Sequence, residues 1–169
     1  MSVDSFKFLP RIIAFYYQRT KQVPELPIPW TPIKKKIENS KFALVTSGGI
    51  YNKTTDVPFD VTREKIEPTW GDPTFRRISI DSTQDEIGVS HLHINTADIL
   101  VDVNILLPIG RFRELVNQSS IGGLHENVYS FMGYQGFPPN TDDWKTSYGP
   151  QLAQELLAEK VDCVFMTPA

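Results

Sequence analysis

The sequence is short of the residues that carry most enzymatic chemistry. It holds one cysteine, Cys163, and three histidines, His91, His93 and His125. A lone cysteine excludes an internal disulfide and any paired-thiol motif, and it suits a reducing compartment. No apolar run approaches the roughly 20 residues that a membrane span needs. Lys7, Pro10 and Arg11 break up the N-terminal stretch that a secretory signal would require. Positive charge is not in excess either. The formal net charge is −3, from 17 basic and 20 acidic residues, which argues against a nucleic-acid surface. The run Lys34-Lys35-Lys36 has no interleaved aromatics and reads as a solvated face. No glycine-rich nucleotide motif and no nucleophile elbow is present. A cytoplasmic protein bound to neither membrane nor nucleic acid is expected.

What is there divides in two. Residues 1–33 read as an N-terminal arm. In "SFKFLPRIIAFYYQRTK", Phe8, Ile12 and Phe15 fall near helical spacing, for a helix packed on the domain or docked on a partner subunit. Pro24, Pro27, Pro29 and Pro32 then impose an extended segment. Residues 34–169 read as an α/β domain. The continuous apolar run Phe42-Ala43-Leu44-Val45 is expected for a strand covered on both faces, and Gly48-Gly49 follow it. Residues 52–72, polar and broken by Pro58 and Pro68, read as a long loop. Strands follow at "FRRISI" and around Val128 and Phe131, with a helical turn starting near Thr96 between them. Pro108 opens a helix with Ile109, Phe112, Leu115 and Val116 on one face. Trp144, Tyr148, Leu152 and Leu156 repeat every fourth residue, with a new helical segment at Gly149-Pro150. The terminal run "VDCVFMTPA" predicts a last, buried strand with Cys163 inside it. Apolar strands alternating with helices predict a three-layer, open, mostly parallel sheet with helices on both faces, and the fold is expected to be incomplete at its C-terminal side.

In such sheets ligands bind outside the carboxyl ends of the strands. Those ends supply Ser47, Gly48, Gly49, Met132 and Gly133, with Thr167-Pro168 after the last strand. Backbone N–H groups of a glycine-rich strand end can cradle an anion. "SHLH" places His91 and His93 on one face of an extended segment. Three readings stand for them: polar loop residues, ligands for a substrate carboxylate, or, with His125, a three-histidine metal site. Arg76 and Arg77 either clamp a carboxylate or lie exposed on their strand. Ser47, Ser90 and Ser130 lie near strand ends, but no pattern supplies the adjacent base and orienting group that a serine nucleophile needs. No catalytic residue and no metal site is assigned within the chain.

Taken in order, "IPWTPIKKKIENSKFALVTSGGIY", "GDPTFRRI", "SHLHINTADILVDVNILLPIGRFREL", "IGGLHENVYSFMGY" and "GPQLAQELLAEKVDCVFMTP" resemble the selenoprotein B family of glycine, sarcosine, betaine and D-proline reductases. The resemblance runs from Trp30 to Ala169. It implies reductive cleavage of a C–N bond in a small amino acid or amine derivative. In that family the strand matching "VDCVFMTPA" is followed almost at once by selenocysteine, encoded by UGA. No cofactor is then expected within these residues, and selenocysteine is expected immediately after Ala169, with the reading frame cut at that codon. The resemblance also implies a carbonyl-bearing partner subunit that holds the substrate amine, and an oligomeric assembly. Ser47, Gly48, Gly49, His91, His93, Met132 and Gly133 become the expected substrate-binding residues. The alternative is a non-catalytic α/β binding or assembly subunit that ends naturally at Ala169.

Overall fold

A computed structural model describes residues 10–12, 14, 15 and 30–169 of the chain. The chain divides into two units, Met1–Pro32 and Ile33–Ala169. In the first, the Ala14 N–H donates to the Pro10 carbonyl at 2.9 Å, one helical turn. The rest of the amphipathic helix expected there, and most of the proline-rich segment, lie outside the described residues.

The second unit is built around strand β1 (Lys41–Thr46). Ala43 and Leu44 are fully buried and Val45 nearly so, because β1 has a hydrogen-bonded neighbour on each side and helices above and below. On one side β5 (Gly123–Leu124) and β6 (Asn127–Phe131) run parallel to it as an interrupted strand. On the other, β7 (Cys163–Thr167) pairs in parallel along the strand, from Phe42↔Cys163 to Thr46↔Thr167. β3 (Phe75–Ser79) closes the far edge antiparallel to β6. The sheet is therefore mostly parallel.

Alternation along β1 separates two cores. Phe42 and Leu44 join Ile78, Val128, Ile109 and Phe112, the last two from α3 (Ile109–Asn117). Ala43 and Val45 join Phe75, Tyr129, Leu152 and Leu156, the leucines from α4 (Gly149–Ala158). Helices thus cover both faces, giving the three layers read from the sequence. Two shorter helices precede these in the chain, α1 (Val61–Ile66) and α2 (Ala97–Val101). α4 follows a π-helical turn, Trp144–Tyr148, and carries Pro150 in its first turn, where the missing N–H costs nothing.

Two expectations need correction. The stretch read as one long loop, residues 52–72, contains α1, and β2 (Ile50–Asn52) runs into its first residue. β2 pairs antiparallel with β4 (Ile87–Val89) in a separate two-stranded sheet. Three residues per strand are too few to show a period. The last strand is not buried. Val164, Phe165 and Met166 are 45%, 40% and 69% exposed, and Cys163 is half-buried, because among the described residues β7 has a strand only on its β1 side. The Lys34-Lys35-Lys36 run is exposed as expected, though Lys35 pairs with Asp162 at 2.8 Å.

Arg77 and Arg76 are structural. Glu155 of α4 takes two hydrogen bonds from Arg77 Nε and one from Nη2, at 2.7–3.0 Å. It also accepts from the hydroxyl of the fully buried Tyr129 at 2.8 Å. Arg76 ties the loop before α1 to β3: its Nε donates to the Val57 carbonyl at 2.6 Å and its guanidinium lies 4.0 Å from the Phe59 ring centre. Neither arginine is left to clamp a substrate.

Removing Glu155 strands a buried phenol. Glu155→Ala is expected to cost about 2 kcal/mol, read as a lower urea midpoint. Adding Tyr129→Phe should return part of that loss, because the orphaned hydroxyl goes with it. Arg77 holds the Glu155 carboxyl below the usual carboxylate range. Its contribution is therefore present above the unfolded-state pKa and lost as pH falls through the lower folded value.

Candidate functional site

The parallel strands β1, β6 and β7 end together, and the chain turns there are glycine-dependent. Gly49 has φ +64°, a left-handed conformation that an L side chain resists. That turn lets the Gly49 N–H donate to the Phe131 carbonyl, and its own carbonyl accept from Ser90 N–H, both at 2.9 Å. The end of β1 is thereby tied to the end of β6 and to the segment after β4. Gly48 packs its backbone against the Leu106 side chain, and Met132, fully buried, packs beneath Gly49. These two support the crevice more than they line it.

The C-terminal end of β7 is fastened to the same place. Thr46 Oγ1 donates to the Thr167 carbonyl at 3.0 Å, and the Ala169 N–H donates to Ser47 Oγ at 2.9 Å. Gly133 makes the approach possible. A Cβ on it would lie 2.8 Å from the Ala169 carbonyl oxygen, 2.9 Å from that of Ser47 and 3.2 Å from His91 Nε2. Every residue named from the sequence for the crevice is thus brought to one end of the sheet.

His91 and His93 follow β4 and lie with their ring centres 6.0 Å apart. His91 is 8% exposed, and its Nδ1 accepts from the His93 N–H at 3.1 Å. Burial first, and His93 second, push its pKa below the ordinary histidine value. His93 Nε2 lies 2.9 Å from Glu64 Oε1, and its ring stacks on Tyr134 at 4.4 Å. Tyr134 in turn donates its hydroxyl to the Pro68 carbonyl. The Glu64 side chain is only 3% exposed. Burial raises its pKa, against the lowering effect of the His93 hydrogen bond.

Glu64 and Tyr134 are the partners that the sequence did not disclose. Glu64 belongs to α1, whose start is marked by Asp60, the side chain of which accepts from Arg63 N–H at 2.9 Å. An N-cap aspartate followed by a charged run was the available signal.

His125 does not join them. It precedes β6, at the opposite end from Met132, and its Nδ1 is engaged with Asn127 at 3.0 Å. A strand of this length separates the two ends by roughly 15 Å. The three-histidine metal reading is set aside: no group of three or more metal-ligating side chains occurs among the described residues. Ser130, fully buried in β6, has no base beside it to make it a nucleophile.

An apolar groove of about 640 Å³ adjoins the crevice on the α4 side. Val45, Phe131, Trp144, Leu152, Val164 and Met166 line it, and it meets the crevice at Ser47 and Pro168.

Residues 16–169 match the family of the glycine/sarcosine/betaine reductase selenoprotein B. The chain belongs to that family. It is 32% identical to the D-proline reductase subunit gamma of Acetoanaerobium sticklandii, over 86% of this chain and 55% of the relative. It is 28% identical to the glycine reductase complex component B subunit gamma of Carboxydothermus hydrogenoformans, over 83% of this chain and 30% of that protein. The protein of the same name from Symbiobacterium thermophilum is 27% identical over 83% of this chain and 31% of its own length. The chain therefore spans about half, or less, of the length of these relatives. No solved structure matches it. No helix among the described residues is long and apolar enough to cross a membrane.

The depressed pKa of His91 has a consequence for this selenoprotein B family member's stability. The unfolded chain takes up a proton near pH 6.5 while the folded chain still resists it. Stability should therefore decline as pH falls below about 6.5. His91→Gln should flatten that part of the profile, leaving the carboxylate-driven loss at lower pH. Urea midpoints between pH 5 and 7.5 measure this.

Proposed function

We propose that these residues form part of a reductase that cleaves the C–N bond of a small amino acid or amine derivative of the glycine, sarcosine, betaine or D-proline class. The observation that carries the reading is the convergence of Ser47, Gly133, His91 and the Thr167-Pro168-Ala169 end of β7 in a protein of this family. A selenolate following Ala169 would attack the carbon bearing nitrogen, forming the Se–C bond as the C–N bond breaks and the amine leaves with its electron pair and a proton. Release of the carbon as a C–H product needs two electrons and a proton, which a dithiol supplies on becoming a disulfide.

The residues present have three tasks in this scheme. Pairing of β7 with β1, and the bond from Ala169 N–H to Ser47, fix where the chain after Ala169 begins. Gly133 permits the close approach of that end. His91 and His93 supply polar groups at the crevice for the substrate's carboxylate. A carbonyl-bearing partner subunit would hold the amine, so the site is shared between chains. The 640 Å³ apolar groove and exposed β7 favour a second reading, a binding or assembly subunit that contributes surface and no chemistry.

Expression of the gene with its own downstream sequence, selenium and partner subunits tests the proposal. Amine release, or ring opening of D-proline, is measured with a dithiol as reductant. Substrate-dependent product with incorporated selenium supports the reductase. A complete, assembled complex that turns over none of the four substrate types favours the assembly subunit.

A further inference from the structure

His91 holds a buried hydrogen-bond donor that no described residue accepts. Its Nδ1 is occupied as an acceptor from the His93 N–H, so the ring hydrogen is assigned to Nε2. That Nε2–H is sealed from solvent and has no partner among the described residues. Buried polar groups are nearly always paired, and an orphan calls for a reason. The ring is also held in place. His91 Cβ would lie 3.5 Å from a Cβ on Gly49, beside Met132, and the His93 N–H fixes the other nitrogen.

The donor sits where three strands end. Nε2 lies near the backbone of Gly133, on which a Cβ would also meet the carbonyl oxygens of Ser47 and Ala169. This is where β1, β6 and β7 end. Glu64, the buried carboxylate nearby, is hydrogen-bonded to His93. It makes no hydrogen bond to His91 Nε2.

We propose that His91 is an anion-binding residue, its Nε2–H donating to an anionic acceptor placed at the carboxyl end of β7. The acceptor is either the carboxylate of an amino-acid substrate or the thiolate or selenolate of a residue that follows Ala169. The proposal rests on the functional reading above for the choice of anion, not for the donor. A neutral imidazole suits the task. It orients an anion and stabilises it by one hydrogen bond without the full opposing charge of a lysine or arginine, so a nucleophile keeps its reactivity. Burial, and then His93, lower the pKa of His91, which favours the neutral ring.

The test reads His91 directly. In the 169-residue chain labelled with ¹⁵N-histidine, long-range ¹H–¹⁵N spectra should show His91 as the Nε2–H tautomer at pH 7.5. Acetate, glycine and D-proline are then titrated against a chloride control of equal ionic strength. Saturable movement of the His91 Nε2–H signal, with His125 unmoved, assigns the substrate carboxylate as acceptor. In a second arm one cysteine is appended after Ala169, and its thiol is titrated by absorbance against the unextended chain to subtract Cys163. A thiol at least tenfold more acidic than an ordinary one, restored by His91→Leu and kept by His91→Asn, assigns the chalcogenolate. If no carboxylate moves His91 and the appended thiol titrates normally, the proposal is overturned. The first arm needs no variant, so failure of a substituted protein to fold does not spoil it. Neither arm measures turnover, so a failed reductase assay leaves this result standing.

Discussion

Gly133→Ala is expected to drive the end of β7 out of the crevice. The new methyl would lie 2.8 and 2.9 Å from two backbone carbonyl oxygens, those of Ala169 and Ser47. Neither is the tip of a flexible side chain, so the strand end has to shift by several tenths of an ångström. Overpacking of this kind costs about 1–3 kcal/mol. The functional loss should be larger than the stability loss suggests. On the proposed function a nucleophile carried just after Ala169 would inherit the displacement, and a misplacement of about 1 Å forfeits roughly a hundredfold in rate. Gly123→Ala is the control, since a Cβ there meets nothing within 4 Å. Amine release by the assembled reductase, alongside thermal melts of both variants, measures the effect. A Gly133→Ala protein with unchanged turnover would show that the position of β7's end does not matter to the chemistry.

The largest effect on folding is expected at Leu44. It is fully buried at the middle of β1 and belongs to the cluster that includes Ile78, Phe112 and Val128. Leu44→Ala removes its contacts with three elements and leaves a cavity in a strand paired on both sides. Such changes cost about 2–5 kcal/mol, and at 2–4 °C per kcal/mol for a chain of this size the midpoint should fall by about 10 °C. Leu157→Ala, at a position 73% exposed on α4, should move it by less than about 2 °C. A small effect at Leu44 would contradict the placement of β1 at the centre of the sheet.

The sheet was legible where burial on both faces writes a continuous apolar run. Phe42 to Val45 marked the central strand, and the spacing of Ile109, Phe112, Leu115 and Val116 marked the helix on one of its faces. Gly149-Pro150 marked the junction within the other. The crevice was legible for a related reason. Glycine pairs just past apolar strands are where a parallel sheet turns, and Gly48-Gly49 and Gly133 are brought together there.

Other features depended on the fold rather than on local pattern. Glu64 lies 29 residues from His93, and Glu155 lies 78 residues from Arg77. No spacing rule links pairs so far apart, and whether an arginine is free or committed is decided by what packs against it. The exposure of β7 was hidden for the opposite reason. An apolar run announces affinity for a core, but it does not say whether a neighbouring element is present to complete one. The two-stranded sheet of β2 and β4 has strands too short to leave a period, though it is what carries His91 and His93 to the crevice.

The most direct test of the central claim, that β7 delivers a nucleophile to this crevice, is to read the gene past the codon for Ala169. The account predicts UGA followed by an open frame with cysteine codons. A UAA or UAG codon would contradict it and leave the assembly subunit as the reading to pursue.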